Sequence, residues 1–174
     1  MSTGLLILRL VVGLVLAGHG AQKLFGWFGG YGVAGTGGWL HSIGFRPGKP
    51  MAVVVGLAEL AGGIGLALGL LTPLAAAVVI GTMAVAAWSH EANGLWGTNG
   101  GYEQALTYGV VAVALAFTGA GDYSVDHALG LTWGTGYAVA ATALGLLAAL
   151  VSVAAAKVAL RSDARGSGPV AAGA

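Results

Sequence analysis

The sequence predicts an all-α fold that crosses a membrane several times, and three observations predict it. Hydrophobic residues make up 57% of the chain and charged ones only 7%, against about 25% charged in an ordinary soluble domain. Mean hydropathy is +0.86. The stretch from Met51 to Trp88 carries a single ionisable side chain, Glu59. A helix needs roughly 20 apolar residues to cross about 30 Å of hydrocarbon, so this stretch reads as two crossings joined at Leu71-Thr72-Pro73. Pro73 suits the first turn of the second helix, where its missing N–H is not needed.

The remaining elements follow in order. Gly4 to Phe28 is the first span, interrupted by Arg9, His19, Gln22 and Lys23. A signal peptide fits it poorly, because the cleavage site is weak and Leu5 to Leu8 already precede the arginine. Gly29 to Pro50 is a Gly-rich connector, in which Trp39 to Ile43 reads as a short interfacial helix. Residues 51–71 and 73–88 form the hairpin. Ser89 to Gly101 is polar and turn-rich, a surface loop. Residues 102–119 are the fourth span, Ala120 to Thr132 the next loop, and residues 133–158 a fifth, alanine-rich span. Residues 162–174 are small and polar and are expected to be disordered.

Composition excludes several chemistries. There is no cysteine, which removes disulfides, thiolate zinc sites, iron–sulfur ligation and dithiol redox chemistry from this chain. Any redox role needs a borrowed centre. Formal net charge is +1 with no long basic run, so nucleic acid is not an expected partner. The 33 glycines read as helix-packing positions in lipid, for example Gly65-xxx-Gly69. With five spans, Lys23, Arg46, Lys49, Lys157, Arg161 and Arg165 share one side and Arg9 alone takes the other. That bias places the N-terminus outside and the C-terminus in the cytoplasm.

The polar residues inside the spans are the candidate site. On the first helix Arg9, His19 and Lys23 fall on one stripe with Gly13 and Gly20, which should face the bundle. In an antiparallel hairpin Glu59 comes level with His19, Gln22 and Lys23 to within about one helical turn. His90, Glu103, Gln104 and Tyr108 lie near the same edge. The expected inner cluster is therefore His19, Lys23, Glu59, His90, Glu103 and Tyr108, with a separate outer pair of Arg9 and either Asp122 or Asp126. One reading is a proton-linked or quinone-type site, since charges this deep in lipid are by default functional. The other is that they pair and fix helix register, and for Lys23 simple snorkelling to the interface is the stronger reading.

His19 and His90 differ in depth, which argues against a shared haem. A metal on His90, Glu91 and Glu103 lacks a supporting ligand spacing. Trp27, Trp39, Trp88, Trp96 and Trp133 fall at span ends and read as belt anchors. His41 and His127 read as surface histidines. No nucleophile–base pair, phosphate loop or dinucleotide fingerprint occurs.

Several segments then occur in series: Leu8-Arg9-Leu10, His19-Gly20-Ala21-Gln22-Lys23-Leu24-Phe25-Gly26-Trp27-Phe28-Gly29-Gly30, Glu59-Leu60-Ala61-Gly62-Gly63, Gly69-Leu70-Leu71-Thr72-Pro73, Gly100-Gly101-Tyr102-Glu103 and Gly119-Ala120-Gly121-Asp122-Tyr123-Ser124-Val125-Asp126. Together they resemble the DoxX family of small bacterial integral membrane proteins, with Ala120 where that family has proline. The resemblance implies a four-helix membrane core over residues 1–130, with the span at 133–158 and the tail outside it. It also implies a bacterial inner-membrane location and a link to quinone-linked or thiol-linked redox or oxidative-stress systems. Within such a system this chain is expected to be a non-catalytic accessory or scaffold subunit, with no cofactor of its own beyond a quinone. Its expected partners are the lipid bilayer, a redox protein and further copies of itself. The competing class is a small-solute or proton-linked transporter using the same polar cluster, although the two hairpins show no internal symmetry that would favour transport.

Overall fold

The computed structural model describes residues 2–166, and these form seven α-helices with no strand among them. They are α1 (Ser2–Phe25), α2 (Gly32–Ser42), α3 (Gly48–Leu68), α4 (Thr72–Ser89), α5 (Glu103–Thr118), α6 (Val125–Ala128) and α7 (Thr135–Gly166). By length and composition α1, α3, α4 and α7 can each cross a membrane, and α5 is a shorter apolar helix. The five long helices alternate in direction. One end of the bundle collects Ser2, Leu71, Asp126 and Thr135, and the other collects Lys23, Gly48, Ser89, Glu103 and Asp163. We call these the Asp126 end and the Lys23 end.

Glycine sets the closest contact. A Cβ placed on Gly13 would lie 2.5 Å from the Gly63 carbonyl oxygen, and one on Gly20 would lie 2.5 Å from the Leu60 nitrogen. With no side chain there, the α1 and α3 backbones meet directly, and dispersion replaces the hydrophobic drive that lipid does not provide. α4 is the central helix, packed on α3, α5 and α7. Leu16, Leu66, Val79, Ala112 and Leu115 build the apolar core among α1, α3, α4 and α5. The expected Gly65 and Gly69 positions pack differently. Gly65 faces Ala75 across the hairpin, while Gly69 ends α3 with φ +62° against Arg9.

Several boundaries differ from the expectation, each for a local reason. α1 stops at Phe25 because Gly26 turns left-handed at φ 73°. α2 runs eleven residues, well beyond the expected Trp39–Ile43 piece, and buries Thr36, Gly37 and Leu40. α3 begins at Gly48, so that Pro50 occupies the first turn, where a missing N–H costs nothing. α7 continues past residue 158 to Gly166, so residues 162–166 of the expected disordered tail are helical. The Arg46 guanidinium grips both carboxylate oxygens of Asp163 there, and Lys157 lies over the Trp88 ring at 5.7 Å. Residues 167–174 of that tail lie outside the described residues.

Candidate functional site

The Gly20 contact brings α1 and α3 so close that Lys23 meets Glu59 across the interface. Lys23 Nζ donates to Glu59 Oε2 at 2.5 Å. The pair is asymmetric: Glu59 is 2% exposed, whereas the Lys23 side chain keeps 25%. A carboxylate alone at this depth would cost several kcal/mol, which the adjacent ammonium offsets. Among the described residues, only Oε2 of this carboxylate is hydrogen-bonded.

Glu59 also lines a cavity. α3 and α7 both pack on α4 but barely touch each other, which leaves a furrow of about 390 Å³ between them on the outside of the bundle. Its walls are mostly aliphatic, with Val54, Ala58, Val78, Val85 and Ala148 among them, and Leu40 of α2 and Ile43 just after it contribute at the Lys23 end. Its polar groups are Lys23 and His90 toward that end, Glu59 midway along α3, and the hydroxyls of Thr82, Ser89 and Ser152. Trp39 stacks on the His90 imidazole with 5.9 Å between ring centres and 26° between planes. The volume falls in the range of about 300–1,000 Å³ typical of small-molecule sites, and an apolar wall with a few convergent polar groups is their usual composition.

The other expected cluster members go elsewhere. His19 does not reach Glu59. Its Nδ1 faces Gln22 Oε1 at 3.0 Å, its Nε2 faces Gln104 Nε2 at 3.1 Å, and Gln104 continues to the Tyr108 hydroxyl at 3.2 Å. His19 and Tyr108 thus belong to a separate polar chain between α1 and α5. Glu103 turns outward and accepts the Gly97 N–H at 2.8 Å, fixing the loop before α5. His90, Glu91 and Glu103 do not converge as a ligand group among the described residues. Trp39, read from sequence as a belt anchor, lines the furrow. The connector pattern carried no signal for this, because only the full length of α2 carries the indole over His90.

At the opposite end Arg9 and Asp126 do not form the direct pair expected of them. Arg9 is 0% exposed. It donates to the Leu66 and Ala67 carbonyls at 3.4 and 3.1 Å and to the Tyr123 carbonyl at 2.5 Å. A cation at the C-terminus of α3 meets both its last-turn carbonyls and the negative end of its dipole. Asp126 mirrors this at the N-terminus of α4. It accepts the N–H groups of Leu71 at 2.7 Å and Thr72 at 2.9 Å, the Thr72 hydroxyl at 2.6 Å and the Trp133 indole N–H at 2.9 Å. Burial pushes the Asp126 carboxyl up, but the hydrogen bonds from Thr72, Trp133 and Leu71 outweigh it and hold the group below the usual carboxylate range. Asp122 instead accepts a hydrogen bond from the Ser2 hydroxyl.

Among known proteins, the family model described as DoxX matches residues 4–92, which take in α1 to α4 with the Lys23–Glu59 pair and Arg9. No curated protein and no solved structure matches the chain.

Proposed function

The chain belongs to the DoxX family, and from that premise we propose that it is a quinone-binding, non-catalytic subunit of a membrane redox system, with the α3–α7 furrow as the binding site. The observation that carries this reading is an outward-facing aliphatic furrow in the bundle, lined by a Lys23–Glu59 pair whose carboxylate is buried. A furrow between two spans admits a ligand sideways from lipid, which suits a hydrophobic carrier better than an aqueous solute. Bound there, a quinone would supply two-electron, two-proton carrier chemistry. The chain's own residues would bind and orient it: aliphatic side chains of α3, α4 and α7 against the tail, Trp39 against the head, and Lys23 Nζ as a donor to a ring oxygen. Glu59 would hold or release a proton at its carboxylate. With no cysteine in the chain, electrons must come from a separate partner protein. The protein sits in the bacterial inner membrane with its Lys23 end toward the cytoplasm, where the basic residues gather.

The test is a titration of the reconstituted full chain with a short-tailed ubiquinone or menaquinone analogue, followed by tryptophan fluorescence. Saturable quenching is expected, reduced when Trp39 is replaced by Phe and weakened about tenfold or more in Glu59→Gln. No saturable quenching, together with solute flux in proteoliposomes, would make the furrow a transport site and overturn the reading.

A further inference from the structure

A second hollow adjoins the furrow. It measures about 580 Å³ and lies at the α1–α2 turn, with Gln22, Gly29, Gly30, Tyr31 and Thr36 among its lining residues. Three residues line both hollows: Lys23, Trp39 and His90. The stacked Trp39 and His90 rings and the Lys23 stem therefore form the wall between an aliphatic furrow and a more polar cleft. We propose that this cleft is the water-filled route by which Glu59 exchanges protons with the aqueous phase at the Lys23 end, and that Lys23 with the Trp39–His90 stack is its gate. The proposal rests on the reading of Glu59 as the proton-handling group of the furrow.

The chemistry of the two hollows supports it. A carboxyl only 2% exposed cannot take up or release a proton at useful speed unless water reaches it. The cleft is far larger than the share of about 30 Å³ that one water takes in the liquid. Its lining includes the Lys23 ammonium, the Tyr31 and Thr36 hydroxyls and the His90 imidazole, groups that can hydrogen-bond to a chain of waters. Lys23 is the member of the ion pair that keeps contact with the outside. The ionisable groups facing the two hollows are Lys23 from α1, Tyr31 from the turn before α2, Glu59 from α3 and His90 at the end of α4, while α7 offers only the Ser152 hydroxyl. A proton arriving from cleft water adds to the Glu59 carboxylate and makes it neutral. Lys23 remains a cation and, released from its partner, turns toward cleft water.

The test exploits the absence of cysteine. A carbodiimide activates a protonated carboxyl, so the modification of Glu59 in the full chain reconstituted into vesicles reports access to that group. Tyr31 is 85% exposed, and Tyr31→Cys lets a bulky maleimide plug the cleft, with the unlabelled variant as its own control. A cysteine at Leu129, 62% exposed at the Asp126 end, controls for labelling itself. The expectation is that a water-soluble carbodiimide modifies Glu59, that the maleimide at Tyr31→Cys slows this tenfold or more, and that the maleimide at Leu129→Cys does not. Equal rates with and without the plug, or modification only by a membrane-soluble carbodiimide, would overturn the proposal. Quinone quenching that persists in the plugged protein would leave the furrow reading intact even so, which separates failure of the route from failure of the site.

Discussion

At the Asp126 end, buried charge is consumed by the backbone: Arg9 takes the last carbonyls of α3, and Asp126 takes the first N–H groups of α4. At the Lys23 end, buried charge meets another side chain and lines a cavity. Both arrangements satisfy a charge in a low-dielectric setting, but they differ in what they leave free. The two helix ends at residues 66–72 cannot move without exposing peptide groups, so Arg9 and Asp126 lock the hairpin. Lys23 and Glu59 can separate without exposing any backbone group, because lysine reaches outward on a flexible stem. Stability resides in the first arrangement and adaptable chemistry in the second.

The contrast is broken most directly by removing the lock. Asp126→Ala strands four donors and should cost about 3 kcal/mol or more in unfolding free energy, measured by denaturant titration in detergent. Arg9→Met should cost a comparable amount. A loss below that of Glu59→Gln would reverse the assignment of the two ends. Acid tests the same point. The Asp126 carboxyl is held below its ordinary value, so its contribution is complete above about pH 4 and is lost as pH falls through the depressed folded value. Asp126→Asn should flatten that acid-side decline, and an unchanged slope would assign it to another group.

Glu59→Gln keeps the shape and a hydrogen-bonding head while Lys23 reaches water, so about 1 kcal/mol is expected. Glu103→Gln, which alters one exposed bond to the Gly97 N–H, should stay within about 0.5 kcal/mol. Equal melting shifts for these two variants would contradict the burial difference between them. Smallest of all, Arg46→Ala removes the exposed pair with Asp163 and should leave the midpoint unchanged while fraying the end of α7 in hydrogen exchange.

The polar pairing was legible in sequence where helix arithmetic governs it. Lys23 and Glu59 are brought level by two antiparallel helices and a connector, so counting residues from the turn was enough. The same arithmetic placed His19 on the inward stripe but could not choose its partner, because the Gln104 amide from α5 lies closer than Glu59. Glu103 turns away from the expected cluster because a residue in the first turn of a helix can bend back to the loop before it, and that depends on the Gly97 conformation. Asp126 was located at the correct end, but its partners are peptide groups, which have no identity in a sequence. The sign of its role was present in Leu71-Thr72-Pro73: α4 begins without a side-chain cap of its own, so its free N–H groups need an acceptor from elsewhere. The length of α2 was hidden by glycine, which reads as loop in water and as close packing beside another helix.

The brevity of α5 has a physical corollary. Sixteen residues rise only about 24 Å, less than the roughly 30 Å of an average hydrocarbon layer. Lipid on that flank must pinch inward or its headgroups must dip to meet the helix ends. The protein would carry a dimple in the surrounding bilayer, bringing the two aqueous phases closest together beside His19, Gln104 and Tyr108.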